Sequence, residues 1–217
     1  MSERRLLVAS TNPGKIREIR LVLAGLPLVI ETLDDHPAVP EPEEPGETFA
    51  ENARAKALYY ARATGRPTVA EDSGLEVAAL GGAPGVRSAR YNGSTYAEKF
   101  ERLYAELRAR GAVDSPARFV CALALVEDGR VLFEAEGIVE GRIAPAPRGT
   151  NGFGYDPIFF YPPYGRTLAE VSDEEKLAVS HRGRAFRKLR RFLATAWAES
   201  GGRSAPPSVA PVARDAG

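Results

Sequence analysis

The chain has 217 residues, enough for one large domain or for two small lobes around a cleft. Its 29 lysine and arginine residues balance 29 aspartate and glutamate residues, so no overall field favours nucleic acid or a membrane surface as a partner. No apolar run is long enough to span a membrane, and the first apolar run is too short for a signal peptide. We therefore expect a cytoplasmic protein that binds neither nucleic acid nor a membrane.

The first part of the chain alternates predicted strands and helices. Residues 5–10 are apolar and predict a buried strand, which ends in a strong turn signal at residues 11–14. Lys15 then opens a helix with apolar residues at helical spacing, closed by Gly25, and residues 26–32 predict a second strand.

Two capping boxes mark helices in the middle of the chain. Thr48 and Thr95 are each followed three residues later by a glutamate, a pattern that indicates a helix start. Between these helices, residues 68–70 predict a short strand. It runs into Glu71-Asp72-Ser73-Gly74, which we interpret as a turn.

Residues 117–127 and 130–140 predict a β-hairpin, because two extended runs are joined by Asp128-Gly129. Cys121, the only cysteine, lies in the first of these runs. A single cysteine forms no internal disulfide, and no basic neighbour in the sequence favours a thiolate. We therefore expect an inert, buried thiol.

The last part of the chain contains a glycine-rich loop at residues 148–156 and a short strand at residues 157–161. The final helix follows, and its apolar face carries Phe186, Leu189, Leu193 and Trp197. These elements predict one mixed α/β domain over residues 1–199. Residues 200–217 are rich in alanine, proline and serine and predict a disordered tail.

The turn Ser10-Thr11-Asn12-Pro13-Gly14-Lys15 is the first candidate for chemistry. A strand, a tight polar turn and a lysine at a helix start suit phosphate, because backbone N–H groups, the helix dipole and the lysine all favour an anion. The turn lacks the glycine spacing of a P-loop. Taken alone, an ordinary strand-to-helix turn explains it better.

Two acidic segments, residues 41–47 and Glu71-Asp72, are candidates for a magnesium site. Mg²⁺ takes one or two carboxylates and completes its octahedron with waters and phosphate oxygens. Asp72 lies near a predicted strand end, where α/β proteins place ligand-contacting groups. The alternatives are a solvated loop for the glutamates and a turn-capping role for Asp72.

Two further segments have the residues to contact a nucleotide. The loop Gly149-Thr150-Asn151-Gly152-Phe153-Gly154-Tyr155-Asp156-Pro157 sets two aromatic rings among glycines, as in a base-stacking platform, although rings that anchor a loop to the core give the same pattern. Lys176 and Ser180-His181-Arg182 precede an amphipathic helix and are within reach of a substrate, unless they form a surface cluster. We interpret the arginine-rich face of that helix as solvated.

Together these segments resemble the inosine triphosphate pyrophosphatase family, also called noncanonical purine NTP pyrophosphatases. The resemblance runs in order from about residue 5 to residue 198. It is carried by Ser10-Thr11-Asn12-Pro13-Gly14-Lys15, Thr48-Phe49-x-Glu51-Asn52-Ala53-x-x-Lys56-Ala57, Glu71-Asp72-Ser73-Gly74-Leu75, Gly82-Ala83-Pro84-Gly85-Val86-x-Ser88-Ala89-Arg90-Tyr91, Phe153-Gly154-Tyr155-Asp156-Pro157 and Ser180-His181-Arg182-Gly183.

The resemblance implies an elongated mixed sheet flanked by helices, in two lobes with the active-site cleft between them. It also implies a homodimeric, Mg²⁺-dependent enzyme that hydrolyses ITP, dITP and XTP to the monophosphate and pyrophosphate. By the resemblance, Glu44 and Asp72 hold the metal and Asp72 is the base for the attacking water, with Glu43 and Glu47 as rivals of Glu44. The residues implied to bind the substrate are Ser10, Thr11, Asn12, Pro13, Gly14, Lys15, Ser73, Phe153, Gly154, Tyr155, Asp156, Lys176, His181 and Arg182. Lys56, four residues after Asn52 on one helical face, is expected to line the same cleft.

Hydrogen bonding gives the implied base choice a physical basis. Inosine and xanthosine present a 6-keto acceptor where adenine presents an amino donor, so donors from Lys176, His181 and Arg182 pair with the keto group and oppose adenine. Guanine carries the same keto group, so this hydrogen-bonding pattern distinguishes inosine and xanthosine nucleotides from ATP but not from GTP.

Three rival interpretations remain. They are a pyrophosphatase of modified pyrimidine or dUTP-like nucleotides, a nucleotide-binding regulator without turnover, and an RNA-binding protein that uses the basic last helix. The motif Phe153-Gly154-Tyr155-Asp156 counts against the first, and the presence of Asp72 and Lys15 against the second. Neutral net charge counts against the third.

Overall fold

The computed structural model describes residues 4–197 of the chain. The predicted tail and the side chain of Trp197 lie outside the described residues. Within residues 4–197 the sheet has seven strands, which are β1 (Arg4–Val8), β2 (Leu28–Thr32), β3 (Thr68–Val77), β4 (Pro116–Glu127), β5 (Arg130–Ile143), β6 (Phe159–Tyr161) and β7 (Arg166–Thr167). The α-helices of that region are α1 (Pro13–Leu23), α2 (Phe49–Thr64), α3 (Tyr96–Ala109), α4 (Asp173–Val179) and α5 (His181–Phe192).

The sheet is mixed, with the strand order β2-β1-β3-β4-β5-β6-β7. Strand β1 pairs in parallel with both β2 and β3, whereas β3 to β7 pair antiparallel. Parallel strands of one sheet need crossover connections, which α1 supplies from β1 to β2 and α2 from β2, across β1, to β3. This mixed sheet with flanking helices confirms the α/β prediction.

Helices cover both faces of the sheet. Along β1, Leu6 and Val8 pack with α1 and α5, whereas Leu7 packs with α2, because successive strand residues point to opposite faces. A separate cluster joins α3 to the distal parts of β3, β4 and β5. In the part of the chain that the structure describes, no helix is long and apolar enough to cross a membrane.

The predicted hairpin is confirmed. Strands β4 and β5 are joined by Asp128 and Gly129, which have φ of 50° and 73°. Positive φ at both central residues is the requirement of a type I′ turn, and Asp-Gly meets it. Both predicted capping boxes are also present, at Thr48 and at Thr95.

The first helix begins two residues earlier than predicted. It starts at Pro13, and Asn12 caps it by accepting a hydrogen bond from the Lys15 backbone N–H at 3.1 Å. Proline is suited to the first helical position, because its missing N–H has no partner there in any helix. Pro13 and Gly14 therefore belong to the helix and not to the preceding turn.

The predicted turn at Glu71-Asp72-Ser73-Gly74 is wrong, because these residues lie inside the ten-residue strand β3 and pair with β4. Aspartate, serine and glycine are turn formers in isolation, but here the ladder and buried partners override that preference. A Cβ atom on Gly74 would lie 2.4 Å from Ser88 Oγ, so the strand needs glycine for close packing.

The last helix differs from its prediction in two ways. It begins at His181, so His181 and Arg182 lie in its first turn and not before it. Ser180, whose hydroxyl accepts a hydrogen bond from the Gly183 N–H at 3.1 Å, separates it from α4, a helix that was not predicted. Its arginines are also not simply solvated: Arg182 is 1% exposed, and Arg187 donates to the Leu177 carbonyl at 2.7 Å. Long arginine side chains reach carbonyls that a hydrophobicity pattern does not reveal.

Candidate active site

A cleft of about 870 Å³ gathers residues that are far apart in the sequence. The predicted residues that line it are Ser10, Thr11, Asn12, Lys15, Glu44, Asp72, Ser73, Phe153, Gly154, Tyr155, Asp156, Lys176, His181 and Arg182. Lys56 and Glu47 line it too, whereas Glu43 does not. Pro13 and Gly14 are also absent from the wall, because they lie in the first turn of α1 and the Phe153 ring covers Gly14.

The phosphate-binding candidate lies between β1 and α1. The Asn12 backbone N–H donates to Ser10 Oγ at 3.2 Å, which fixes the turn, and the Asn12 side chain caps the helix. The amino-terminal end of α1 therefore borders the cleft with its positive dipole end. Lys15, one-fifth exposed, adds a full charge.

Glu71 holds Lys15 and Arg182 together behind the cleft surface. Its Oε1 atom lies 2.9 Å from Lys15 Nζ and 3.2 Å from Arg182 Nη2, and its Oε2 atom accepts a 3.4 Å hydrogen bond from the Cys121 thiol. Burial raises the pKa of Glu71, but the charges of Arg182 and Lys15 outweigh it and hold the pKa far below 4.5. Glu71 is therefore a permanent anion that orients two cations.

Glu18 extends this arrangement on the other side of Arg182. It lies 2.8 Å from Arg182 Nη1 and 2.7 Å from Lys176 Nζ, and Lys176 lies 2.5 Å from Asp156 Oδ2. The result is an ion-pair chain of alternating sign, defined as Lys15, Glu71, Arg182, Glu18, Lys176 and Asp156. Each buried charge in this ion-pair chain has a partner of opposite sign, as burial requires.

Sequence reasoning missed Glu18. It lies one helical turn after Lys15, beside the buried Ile19, and is itself only 6% exposed. A carboxylate on the buried side of an amphipathic helix is an available signal, since such groups require a cationic partner. The sequence alone does not say which cation that is.

Asp72 differs from Glu71, its neighbour on β3. Its Oδ2 atom accepts a 2.9 Å hydrogen bond from Asn52 Nδ2, and its Oδ1 atom accepts one of 2.9 Å from the Ser73 backbone N–H. Burial raises the pKa of Asp72 above 3.8, and the Asn52 hydrogen bond and the charge of Lys56 offset only part of this. Asp72 is thus a carboxylate held by neutral donors, with an enhanced affinity for a proton or a cation.

Lys56 and Glu44 form an ion pair beside Asp72. The Lys56 ammonium donates to Glu44 Oε1, and this pairing raises the pKa of Lys56 although burial lowers it. Arg90 Nη2 lies 3.7 Å from the other oxygen of Glu44. Glu44 is therefore held by cations from two sides.

The carboxylates of the cleft suit a metal ion that arrives with phosphate. Among residues 4–197, no three acidic, histidine or cysteine side chains form a metal site by themselves. Mg²⁺ does not need such a cage, because one or two carboxylates, waters and substrate phosphates complete its coordination. Glu44 and Asp72, which line one cleft, fit that requirement.

The two aromatic residues of the glycine-rich loop have different surroundings. Phe153 is half-buried and lies over the start of α1, with Lys176 Nζ 4.4 Å and Arg182 Cζ 5.4 Å from its ring centroid. Tyr155 is 3% exposed and donates a 3.0 Å hydrogen bond to the Ser88 carbonyl. Tyr155 thus anchors the loop, the alternative interpretation of this pattern, and Phe153 is the ring available for stacking.

His181 borders the cleft as a neutral imidazole. Its ring stacks on Phe119 with centroids 4.7 Å apart, and its Nδ1 atom is buried without a hydrogen-bond partner among the described residues. Burial lowers the pKa of His181 well below 6.5, and the charges of Arg182 and Lys176 lower it further. His181 therefore adds no positive charge to the cleft near neutral pH.

The amino-acid sequence of this chain is similar to those of known proteins. A model of the Ham1 family matches residues 6–192. The dITP/XTP pyrophosphatase of Syntrophobacter fumaroxidans is 50% identical over 188 residues, which is 86% of this chain and 80% of that protein. The dITP/XTP pyrophosphatase of Gloeobacter violaceus is 53% identical over 186 residues, covering 86% of this chain and 92% of that protein.

Solved structures agree with these matches. The structure of a HAM1 protein from Coxiella burnetii superposes with a TM-score of 0.81 at 43% identity, covering 88% of this chain and 98% of that one. The Staphylococcus aureus Ham1 protein gives a TM-score of 0.79 at 35% identity, covering 89% of this chain and 100% of that one. The resemblance indicated by the motifs is thereby confirmed, and the chain belongs to the Ham1 family.

Proposed function

We propose that this chain hydrolyses deaminated purine nucleoside triphosphates, namely dITP, XTP and ITP, to the monophosphate and pyrophosphate, and so clears them from the nucleotide pool. The names of its relatives support the substrate class. The observation that carries the proposal is Asp72, a buried carboxylate of raised pKa, in the same cleft as a helix start and Lys15. A proton acceptor beside an anion-binding turn is what hydrolysis of a phosphoanhydride requires.

In the proposed reaction, Lys15 and the positive dipole end of α1 attract phosphate oxygens. Asp72 accepts a proton from the attacking water, while Asn52 and the Ser73 N–H fix the direction of its carboxylate. Its raised pKa makes Asp72 a stronger base than an exposed aspartate. The water oxygen bonds to phosphorus, and the electrons of the broken P–O bond leave with pyrophosphate.

Mg²⁺ is part of this proposal, with Glu44 and Asp72 as the residues that would hold it. When bound, the ion supplies positive charge that neutralises phosphate oxygens and polarises the water. A metal ion held by Glu44 would compete with Lys56 and Arg90 for its carboxylate oxygens, and would leave these two cations available to the substrate.

We propose that the choice of base depends on the N–H donors of Lys176 and Arg182 that their protein contacts leave unused. Lys176 uses donors on Asp156 and Glu18, and Arg182 uses donors on Glu18, Glu71 and Ser73. An ammonium group has three donors and a guanidinium group five. Lys176 uses two, and Arg182 uses four because both its Nε and its Nη2 donate to Glu71, so each keeps one for a ligand. A 6-keto group accepts such a donor, whereas the 6-amino group of adenine does not.

The test is pyrophosphate release with Mg²⁺ from dITP, XTP, ITP, GTP, ATP and dUTP in parallel. We expect rapid release from the deaminated purines and a kcat/KM for ATP that is about 100-fold lower, as an unpaired buried donor predicts. Preferred hydrolysis of dUTP would favour the rival pyrimidine pyrophosphatase. Folded protein that hydrolyses none of the six would overturn the proposal in favour of a nucleotide-binding regulator.

An Asp72→Asn variant tests the catalytic role. Because it keeps the shape but not the basicity, we expect kcat to fall by about 100-fold or more while nucleotide binding remains. Glu76→Gln on the same strand is the matched control, since Glu76 pairs with Arg118 outside the cleft. Wild-type turnover in Asp72→Asn would refute the role.

The homodimer implied by the resemblance is part of the same proposal and is tested by light scattering.

A further inference from the structure

The cations that line the cleft fall into two groups. Lys15, Lys176 and Arg182 belong to the ion-pair chain, and Lys56 is paired with Glu44. The Arg87 side chain makes no hydrogen bond or ion pair with any residue that the structure describes, whereas its backbone N–H donates to the Pro84 carbonyl at 3.1 Å. Among residues 4–197, the Arg90 side chain has one ion pair, the 3.7 Å contact with Glu44, and it is 74% exposed.

The net charge of the cleft wall depends on Arg87 and Arg90. The acidic residues of the cleft wall are Glu41, Glu44, Glu47, Glu71, Asp72 and Asp156, and the basic residues are Lys15, Lys56, Arg87, Arg90, Lys176 and Arg182. The two sets are equal in number, so a wall without Arg87 and Arg90 would carry two net negative charges. Such a wall would repel a polyphosphate.

The local backbone directs both arginines to the same side. They lie three residues apart in the short 3-10 helical segment Gly85–Arg90. In a 3-10 helix, side chains three residues apart are eclipsed, so the two guanidinium groups share one face. Both residues line the cleft, as do residues 86, 88 and 89, so this segment as a whole forms part of the cleft wall.

The segment that carries them is firmly anchored next to Asp72. Ser88 Oγ accepts a 2.9 Å hydrogen bond from the Leu75 N–H, and the Ser88 carbonyl accepts one of 3.0 Å from the Tyr155 hydroxyl. The Lys99 ammonium donates to the Ala89 carbonyl at 2.5 Å. Two exposed guanidinium groups thus extend from an anchored backbone, which reduces the ordering cost of binding a polyphosphate.

We propose that Arg87 and Arg90 form a pyrophosphate clamp, which binds the β- and γ-phosphates of the substrate and stabilises them as they leave. The inference rests on the proposed function. Negative charge builds up on the leaving pyrophosphate as the P–O bond breaks, and the planar donors of arginine match phosphate oxygens. Mg²⁺ at Glu44 would also free Arg90 from its one carboxylate contact.

The experiment compares binding of inorganic pyrophosphate and of inosine monophosphate, with Mg²⁺, by calorimetry. We expect Arg87→Gln and Arg90→Gln each to weaken pyrophosphate binding by about tenfold, as the loss of a charged hydrogen bond predicts. Binding of the monophosphate, which has no β- or γ-phosphate, should stay within about twofold. The KM for dITP should rise in parallel with the pyrophosphate Kd.

The matched control is the double variant Arg102→Gln/Arg108→Gln, which removes the same net charge from exposed positions of α3 outside the cleft. It should bind pyrophosphate like the parent chain. Parental pyrophosphate affinity in Arg87→Gln/Arg90→Gln overturns the clamp, and so does an equal loss of pyrophosphate and monophosphate binding. Because binding is measured without turnover, these outcomes are distinct from failure of the parent chain to hydrolyse dITP, which overturns the proposed function.

Discussion

Arg182 and Glu71 form an ion pair across the wall of the cleft, with Nη2 and Oε1 3.2 Å apart and each side chain only 2% exposed. The two residues are 111 positions apart in the sequence, so the pair ties α5 to β3. It is the second of the five links in the ion-pair chain. A buried charge that loses its partner keeps its desolvation cost, so the links of this chain depend on one another.

The first prediction concerns stability. Arg182→Met leaves Glu71 and Glu18 buried with one cation each, so we expect the free energy of unfolding to fall by about 3 kcal/mol. Urea denaturation followed by circular dichroism measures the change. The control is Arg17→Met, which breaks an ion pair with Asp173 that is about half exposed, and it should cost less than about 1 kcal/mol. Equal losses in both variants would contradict the prediction.

The second prediction concerns the thiol of Cys121. Burial and the Glu71 carboxylate raise its pKa well above 9.0, so the thiolate is scarce in the native chain. We expect no modification by iodoacetamide at pH 8 until urea unfolds the chain, because only the thiolate reacts. Mass spectrometry counts the adducts. A chain with Cys121→Ser and Ser94→Cys is the positive control, since residue 94 is exposed and should react at once.

The sequence predicts best what depends on neighbouring residues. The Asp128-Gly129 hairpin and the boxes at Thr48 and Thr95 are confirmed, because their hydrogen bonds join residues at most a few positions apart. The turn predicted at residues 71–74 is wrong for the opposite reason. Its polar residues are kept in a strand by partners such as Asn52 and Arg182, which are 20 and 109 positions away.

The residues of the cleft were predicted only in part, because some of them have no local signal in the sequence. The motifs identified residues that line it, including Lys15, Asp72 and Arg182. They gave no role to Glu18, Arg87 or Arg90, although Arg90 belongs to one of the motifs, because a single glutamate or arginine is most simply a solvated group. Only the fold shows that Glu18 is buried between two cations and that the arginines turn toward the cleft.

The third prediction concerns Gly14, which lies under the Phe153 ring. A Cβ atom at this position would lie 2.5 Å from Phe153 Cδ1, so Gly14→Ala must displace the ring. Alanine is the better helix former by about 1 kcal/mol, and stability alone would therefore not suffer. We expect KM for dITP to rise severalfold with little change in thermal stability, as steady-state kinetics and thermal melts can measure.

A double variant separates this contact from other effects of alanine. If Gly14→Ala acts by displacing Phe153, then Gly14→Ala/Phe153→Ala should be no worse than Phe153→Ala alone. If the effects of the two substitutions on KM for dITP were additive, residue 14 would act independently of the Phe153 ring.

The fourth prediction concerns the pH dependence of stability through His181. Its pKa is about 6.5 in the unfolded chain and well below that when folded, because burial disfavours the imidazolium. Near pH 6 and below, the unfolded chain therefore binds a proton that the native chain does not. This contribution to the free energy of unfolding rises with pH between pH 5 and pH 7, by at most about 1.4 kcal/mol per unit.

The variant His181→Phe keeps a ring against Phe119 and removes the titrating group. The difference in unfolding free energy between the parent and this variant should therefore change between pH 5 and pH 7 and be constant above pH 7.5, where the imidazole is neutral in both states. Urea denaturation at half-unit steps measures it. A difference that is constant from pH 5 to pH 8 would mean that His181 is as easily protonated in the native chain as in the unfolded one. The orphaned Nδ1 atom beside Lys176 and Arg182 argues for the opposite, since a proton there would meet two positive charges.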